Sequence, residues 1–403
     1  MKKKYIVIGL LASSLASFGQ RNDTTYVKKH LRTRDVQVLL SYYTQDNDHS
    51  AVTGGIGTES LQVYASDFSM NTQRDSLHTF HFDTGIDLIS SASTDKIDFV
   101  MSSASKTDAR THLNIGYNRK FKSQNFGLNT GLSIESDYYS RALGLSWNYV
   151  DEKRQRELSV SLQTFFDDLR WGRFDNGKPQ KLIYPSELRT KEWFDTYKRK
   201  SYNLELGVYQ TINRRMALGI YPGVVYQTGL LATPFHRVYF IGANLPRVEN
   251  LPDSRLKIPM GLQFNTFIGN RWIVRTYYRF YWDDFGIVAH TFSVETPLKL
   301  GNAWSVTPLA RLYTQSKADY FKPYQEHDTA EEFYTSDYDL SGFTSIKTGL
   351  GLRYRPVSNH SFREMEMRYS IYKRSDGLTA HIITSAFNFR TEKLTEKNKR
   401  RRN

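Results

Sequence analysis

The sequence predicts an all-β protein, a single antiparallel transmembrane β-barrel of about sixteen strands with long extracellular loops. Three observations predict it. The first is a pattern in residues 257–315, where three successive runs of about a dozen residues alternate apolar and polar positions. In the middle run Trp272, Val274, Thr276, Tyr278, Phe280 and Trp282 share one face, and Ile273, Arg275, Tyr277, Arg279, Tyr281 and Asp283 share the other. Strand side chains alternate between faces, so the run has an aromatic wall and a charged wall. Soluble strands average five or six residues, whereas about ten suit a tilted strand crossing a bilayer. The second is composition: 27 Tyr, 24 Phe and 6 Trp could furnish aromatic girdles at both membrane interfaces. A mean hydropathy of −0.56 is compatible, because only alternate barrel positions need be apolar. The third is the lengths of the connections, described below.

The elements follow in order. Lys2, Lys3 and Lys4 precede an apolar run from Tyr5 to Leu15, then small residues ending Ala16-Ser17-Phe18-Gly19-Gln20. This reads as a signal peptide, 1–20, cleaved near Gly19 or Gln20, and the run is too short for a transmembrane anchor. The chain has no Cys, which excludes lipoprotein processing, disulfides, Cys-ligated zinc and Cys nucleophiles. Beyond residue 20 no stretch of 18 apolar residues offers a helical span. The barrel is assigned to 21–390, with 21–35 as a periplasmic lead-in. A basic periplasmic tail, 391–403, carries six basic and two acidic residues. Without the three leader lysines and the tail's net four charges, the formal +14 falls to about +7, which gives no reason to expect nucleic acid.

Strands are expected at 36–44, 59–69, 78–88, 109–121, 125–136, 139–150, 157–167, 201–211, 216–228, 257–268, 271–283, 287–298, 303–315, 342–354, 362–373 and 378–389. The count is even, as in bacterial outer-membrane barrels. With a periplasmic C-terminus, the connections 355–361, 299–302, 269–270, 212–215, 151–156, 122–124 and 70–77 are periplasmic, and all are short. The long ones, 317–341, 229–256, 168–200, 89–108 and 45–58, all fall outside, beside the short 284–286, 374–377 and 137–138. Barrels of this kind sort their loops in this way. The last strand places Ile383, Phe387 and Phe389 on one face and is read as ending at Phe389. An aromatic there resembles the signal recognised by the barrel insertion machinery, although here a tail follows it.

The polar faces give the expected lumen lining: Arg275, Arg279, Asp283, Arg311, Lys347, Glu364, Glu366 and Arg368, with Asn125, Asn129, Glu135, Gln315 and Arg353. An Arg or Lys facing lipid at mid-membrane would cost about 2–4 kcal/mol, so these residues should face inward, with lipids covering the other face. Two readings stand: opposite charges paired across the lumen, or a constriction selecting anions.

The outer loops hold the chemistry-bearing strings. Asp46, Asp48 and Ser50 have the one-three-five spacing of a calcium loop, but Ala51 at position six and Gly57 at position twelve exclude an EF-hand. No cofactor is expected. A looser calcium site on Asp46 and Asp48, with Asp83, Asp87, Asp95, Asp98 and Asp108 nearby in sequence, stands against a solvated acidic loop. Gly54-Gly55-Ile56-Gly57 lacks the lysine and helix of a phosphate loop and reads as a turn needing positive φ. Asp48-His49-Ser50 has the residue types of an acyl-transfer triad, but adjacent side chains point apart. Ser50 would need a distant His236 or His290, and no Gly-x-Ser-x-Gly elbow exists.

Several strings carry a family resemblance. They are Tyr42-Tyr43-Thr44-Gln45-Asp46 with Ala51 to Glu59, Asp87 to Ser93, Ser102 to Arg110, Thr233 to Tyr239, Asn250 to Arg255, Asp283 to Ile287, and Ala289-His290-Thr291. Across nearly the whole mature chain they resemble an uncharacterised Gram-negative family, domain-of-unknown-function family 3570. The resemblance implies an outer-membrane barrel and brings no catalytic residues. Genes of this family are thought to neighbour a small lipoprotein, a thioredoxin-like protein and a flavin transferase, which implies a lipoprotein or flavoprotein redox partner. Asp46, Asp48, Asp87, Asp108, Arg110, His236, Arg237, Asp253, Arg255 and His290 become candidates for a polar plug at the outer end. The leading expectation is a non-enzymatic docking barrel, then a porin-like channel for small solutes, then an outer-membrane hydrolase.

Overall fold

A computed structural model describes residues 30–91, 107–135, 138–169, 174–175, 178–179, 198–233, 236–358 and 361–395. The proposed leader, Asp95, Asp98, residues 102–106, Pro234-Phe235 and the tail beyond 395 lie outside the described residues. The fold is a closed antiparallel barrel of sixteen strands. They are β1 (His30–Asp46), β2 (Leu61–Gln73), β3 (His78–Ser91), β4 (Thr107–Phe121), β5 (Gln124–Ile134), β6 (Tyr139–Asp151), β7 (Arg156–Asp168) and β8 (Lys198–Asn213). The second half comprises β9 (Met216–Gly229), β10 (Ser254–Ile268), β11 (Trp272–Asp283), β12 (Val288–Glu295, resuming at Leu298–Lys299), β13 (Trp304–Gln315), β14 (Phe343–Tyr354), β15 (Phe362–Arg374) and β16 (Thr379–Thr395). Each strand pairs with its neighbours in sequence, and β1 pairs with both β2 and β16, which closes the sheet and leaves no edge.

All sixteen expected strands are present, most with bounds shifted by a few residues, and at three of them the shift has a specific cause. β1 begins at His30 rather than 36, and β16 runs past Phe389 to Thr395. One cause accounts for both: the two ends pair with each other from His30↔Thr395 upward, and Arg390 clamps Asp35 across the ladder. Residues 30–35 of the lead-in and 391–395 of the tail are therefore strand. β12 is interrupted at Thr296-Pro297, because proline has no N–H to give the ladder.

The outward face is apolar. Leu128 is 50% exposed, Leu312 52% and Leu350 59%, and dozens of other large apolar side chains alternate with inward polar ones. A water-soluble monomer rarely exposes a patch larger than a few hundred Å². This continuous belt is a lipid-facing surface, and the protein resides in the outer membrane. No described helix is long and apolar enough to cross a membrane; the strands cross it.

The turns at one end are short, and three of them are built alike. The side chains of Asp75, Asp151 and Asn213 each accept two backbone N–H groups from the residues that follow, fixing the reversals into β3, β7 and β9. The long connections all leave from the other end. The buried apolar core lies there and not among the strand midpoints. Phe285, Ile287, Ala289, Ala318, Phe321 and Leu340 form one cluster, and Val238, Phe240 and Tyr334 form another.

Candidate functional site

The outer loops pack against one another across the mouth. The β1–β2 loop and the β9–β10 loop are rooted eight strands apart in a ring of sixteen, on opposite walls. They meet nonetheless. A Cβ on Gly54 would lie 2.5 Å from Tyr239 Cδ2. Gly54, Gly55 and Gly57 have φ of 80°, 92° and 81°, the left-handed values the Gly-Gly-Ile-Gly string predicts. The β13–β14 loop, 316–342, joins the two. Its Tyr338 stacks on His49 with ring centroids 3.9 Å apart, and its Tyr334 exchanges backbone hydrogen bonds with Asn250. This cap packs on Tyr281 and Tyr313, which lie on the inward face of their strands, so it sits in the mouth and not above it.

Ion pairs brace the rim of the wall and tie the cap to it. Asp283, fully buried, receives Arg255 Nε at 3.1 Å together with Arg255 Nη2, and Tyr281 Oη at 2.6 Å. The Arg255 guanidinium also lies 4.4 Å from the Phe285 ring centre. Arg374 donates from Nη1 to Asp339 Oδ1 at 2.6 Å and from Nη2 to the Tyr338 carbonyl at 2.8 Å, tying the β15–β16 turn to the cap. Within the 316–342 loop, buried His327 places Nδ1 2.6 Å from Glu331 and Nε2 3.0 Å from the Thr335 carbonyl, and Lys322 also contacts Glu331.

At the centre of the cap three ligating side chains converge: His236, Glu249 and Asp337. A two-residue ladder, Arg237–Val238 against Arg247–Val248, places them in register, with the Glu249 N–H donating to the His236 carbonyl at 3.1 Å. His236 Nδ1 stands 3.7 Å from Glu249 Oε1 and 3.8 Å from Asp337 Oδ2. These contacts are too long for hydrogen bonds, and Nδ1 is buried without a hydrogen-bond partner. Burial pushes the imidazole's pKa down, but Glu249, Asp337 and Glu59 outweigh it and raise it to about 9. Burial raises the pKa of Asp337 against the pull of His236.

The sequence candidates divide between cap, inner wall and outer surface. His236 and Arg237 are in the cap and Arg255 is at the outer end of β10, Arg237 and Arg255 both buried. Asp87 is buried on β3 opposite Arg110, which donates to Ser133 Oγ at 3.0 Å and lies 3.6 Å from Glu135. Asp108 accepts the Ala109 N–H at 2.8 Å. Asp46, Asp48 and Asp253 are exposed, and among the described residues no third ligand gathers about Asp46 and Asp48. His290 is not in the plug. It shares the outward face with Val288 and Phe292 and lies 2.8 Å from Tyr278 Oη, because strand alternation turns it to the lipid side. Asp283, expected in the lumen wall, is at its outer rim beneath the cap. Ser50 is buried with its hydroxyl unpartnered, so no relay to a histidine is assembled there.

On the inner face, Arg368 of β15 bonds Glu366 at 2.5 Å and reaches Glu295 of β12 at 3.2 Å, over the two intervening strands. Arg311 and Lys347 stand opposite each other in register. Glu364 accepts from Asn388 at 3.1 Å, Arg279 is within electrostatic reach of Glu205, and Arg275 stands opposite Asn265 and Glu295. The sequence reading missed Glu249, His327, Glu331, Asp337, Asp339 and Arg374. The His327-x-x-x-Glu331 spacing was the one local signal within the 316–342 loop.

A family model described as "Protein of unknown function (DUF3570)" matches residues 9–383. No curated protein matches the chain. Among solved structures, a "Bacterial polysaccharide outer membrane secretin" is similar at TM-score 0.48 and 8% identity, covering 88% of this chain and 98% of that one. OccK1 (OpdK) of Pseudomonas aeruginosa is similar at TM-score 0.41 and 8% identity, covering 90% and 99%. A BenF-like porin from Pseudomonas fluorescens Pf-5 is similar at TM-score 0.42 and 7% identity, covering 89% and 99%.

Proposed function

The chain belongs to the DUF3570 family and is an outer-membrane β-barrel, and from that premise we propose that it works as a docking scaffold and not as an open pore. One observation carries this reading: the β1–β2 and β9–β10 loops, rooted on opposite walls, meet in the mouth, and the β13–β14 loop packs against both over a buried apolar core. A conducting barrel gains nothing from such packing across its bore, whereas a docking surface needs fixed side chains. The occupant would be a lipoprotein or a flavin-bearing redox protein on the periplasmic or outer surface. Purification of the full chain in mild detergent should recover a stoichiometric partner; repeated isolation of the barrel alone would overturn the docking role. In planar bilayers the protein should stay silent, and a steady ohmic conductance would favour the second reading, a porin-like channel. That alternative draws on the polar inner wall, where Arg279 lies near Glu205, Arg368 bonds Glu366 and Glu295, and Arg311 and Lys347 stand opposite each other.

A further inference from the structure

We propose that His236, Glu249 and Asp337 form a binding site for one first-row divalent metal ion, zinc by preference, at the centre of the cap. The three side chains come from two loops anchored on different parts of the wall, and their ligating atoms lie within 4.8 Å of one another. Donors around a small divalent ion at about 2.0–2.2 Å stand roughly 3–4 Å apart, close to the spacings from His236 Nδ1. Both carboxylates are already held from behind. Glu249 Oε2 accepts the Thr233 N–H at 2.6 Å and Oε1 accepts the Thr335 hydroxyl at 2.5 Å. Asp337 Oδ1 accepts the Asp339 N–H at 2.8 Å, leaving Oδ2 toward His236. Such outer hydrogen bonds orient ligands in metal sites.

A second, independent feature points to a ligand. His236 Nδ1 is buried, faces two carboxylates and has no hydrogen-bond partner. A buried polar atom left unbonded is costly, and a metal ion at this point would satisfy it together with both acids. The His236 carbonyl accepts the Glu249 N–H at 3.1 Å and Arg237 Nη1 at 3.4 Å, and its N–H donates to the Thr233 carbonyl at 3.1 Å; these backbone bonds leave the imidazole to ligate. One nitrogen with two carboxylates suits zinc or manganese better than calcium, which prefers six to eight oxygens. Bound metal would pin the β9–β10 loop to the β13–β14 loop, and the site stands whether or not the barrel docks a partner.

The test uses the full-length protein in detergent, stripped with EDTA and titrated with Zn²⁺ by calorimetry. One ion per chain is expected, with Ca²⁺ failing to compete. Asp337→Asn and His236→Gln should each weaken binding at least tenfold, with folding checked by heat-modifiable mobility. Zinc-edge X-ray absorption of the wild-type protein should show one imidazole in the first coordination shell, a readout independent of any variant. Absence of stoichiometric zinc uptake, a shell without imidazole, or folded variants that bind as tightly as wild type would each overturn the site.

Discussion

Asp283 shows how much one side chain organises. Besides Arg255 and Tyr281, it accepts the N–H groups of Phe285 at 3.1 Å and Ile287 at 3.0 Å, so the β11–β12 turn is built on its carboxylate. Removing one partner of a buried pair leaves the other charged and dry, at a cost of about 3–5 kcal/mol. Asp283→Ala should therefore lower the unfolding midpoint markedly and expose the 316–342 loop to protease. The double change Arg255→Met, Asp283→Leu should recover a good part of the loss, and a double variant no better than the single one would refute the pairing argument. Gly286, in the same turn, has φ of 86°, and a Cβ there would lie 2.5 Å from Asp319 Oδ1. Gly286→Ala should therefore loosen the loop, read as faster cleavage within 316–342. The sequence marks both Arg255 and Asp283, but strand alternation tells which face a residue takes and not its height along the barrel. That is why Asp283 appears as a lumen residue from sequence and is a rim residue in the structure.

At the scale of elements, strands were legible because their signal is local. Facing direction repeats every two residues, and membrane thickness fixes the length. The cap was not, because its contacts join residues far apart in the chain: Thr335 to Glu249 across 86 positions, and Asn250 to Glu332 across 82. No periodicity marks such pairs. The closing ladder lay in between: its aromatic end was visible, but its extension depends on β1 and β16 pairing with each other. Truncation after Phe389 removes Arg390 and the register pairs down to His30↔Thr395, and should slow assembly and lower the temperature of heat-modified migration. The 316–342 loop carries its own pH dependence. Burial pushes the Glu331 carboxyl up, but Lys322, the Asp328 N–H and His327 outweigh it and bring it to about 2, from an ordinary 4.5. A depressed folded pKa contributes stability above the unfolded value and loses it as pH falls through the folded one. The loop's hydrogen-exchange protection should decline between about pH 4.5 and 2, and Glu331→Gln should differ from wild type less and less over that window.

At the scale of the whole molecule, two designs coexist in one chain. The wall is a regular lipid-facing cylinder, and the packed core sits in its mouth, where a channel would leave space. If the cap is the barrier, its removal should reveal the interior. Replacing residues 317–341 with a short Gly-Ser linker takes away Ala318, Phe321 and Leu340 from the core and Asp339 from Arg374, while leaving all sixteen strands paired. Such a variant should conduct steadily in planar bilayers under conditions in which the parent is expected to stay silent. The exposed inner face carries Arg311, Lys347, Arg353 and Arg368 around Glu295 and Glu366, an excess of positive charge on one stretch of wall. Cationic walls concentrate anions, so the reversal potential in a salt gradient should report anion preference, and Lys347→Glu in the opened barrel should shift it toward cations. A cap-deleted barrel that folds and remains silent would locate the barrier elsewhere and remove the argument that the loops, and not the strands, decide what this protein admits.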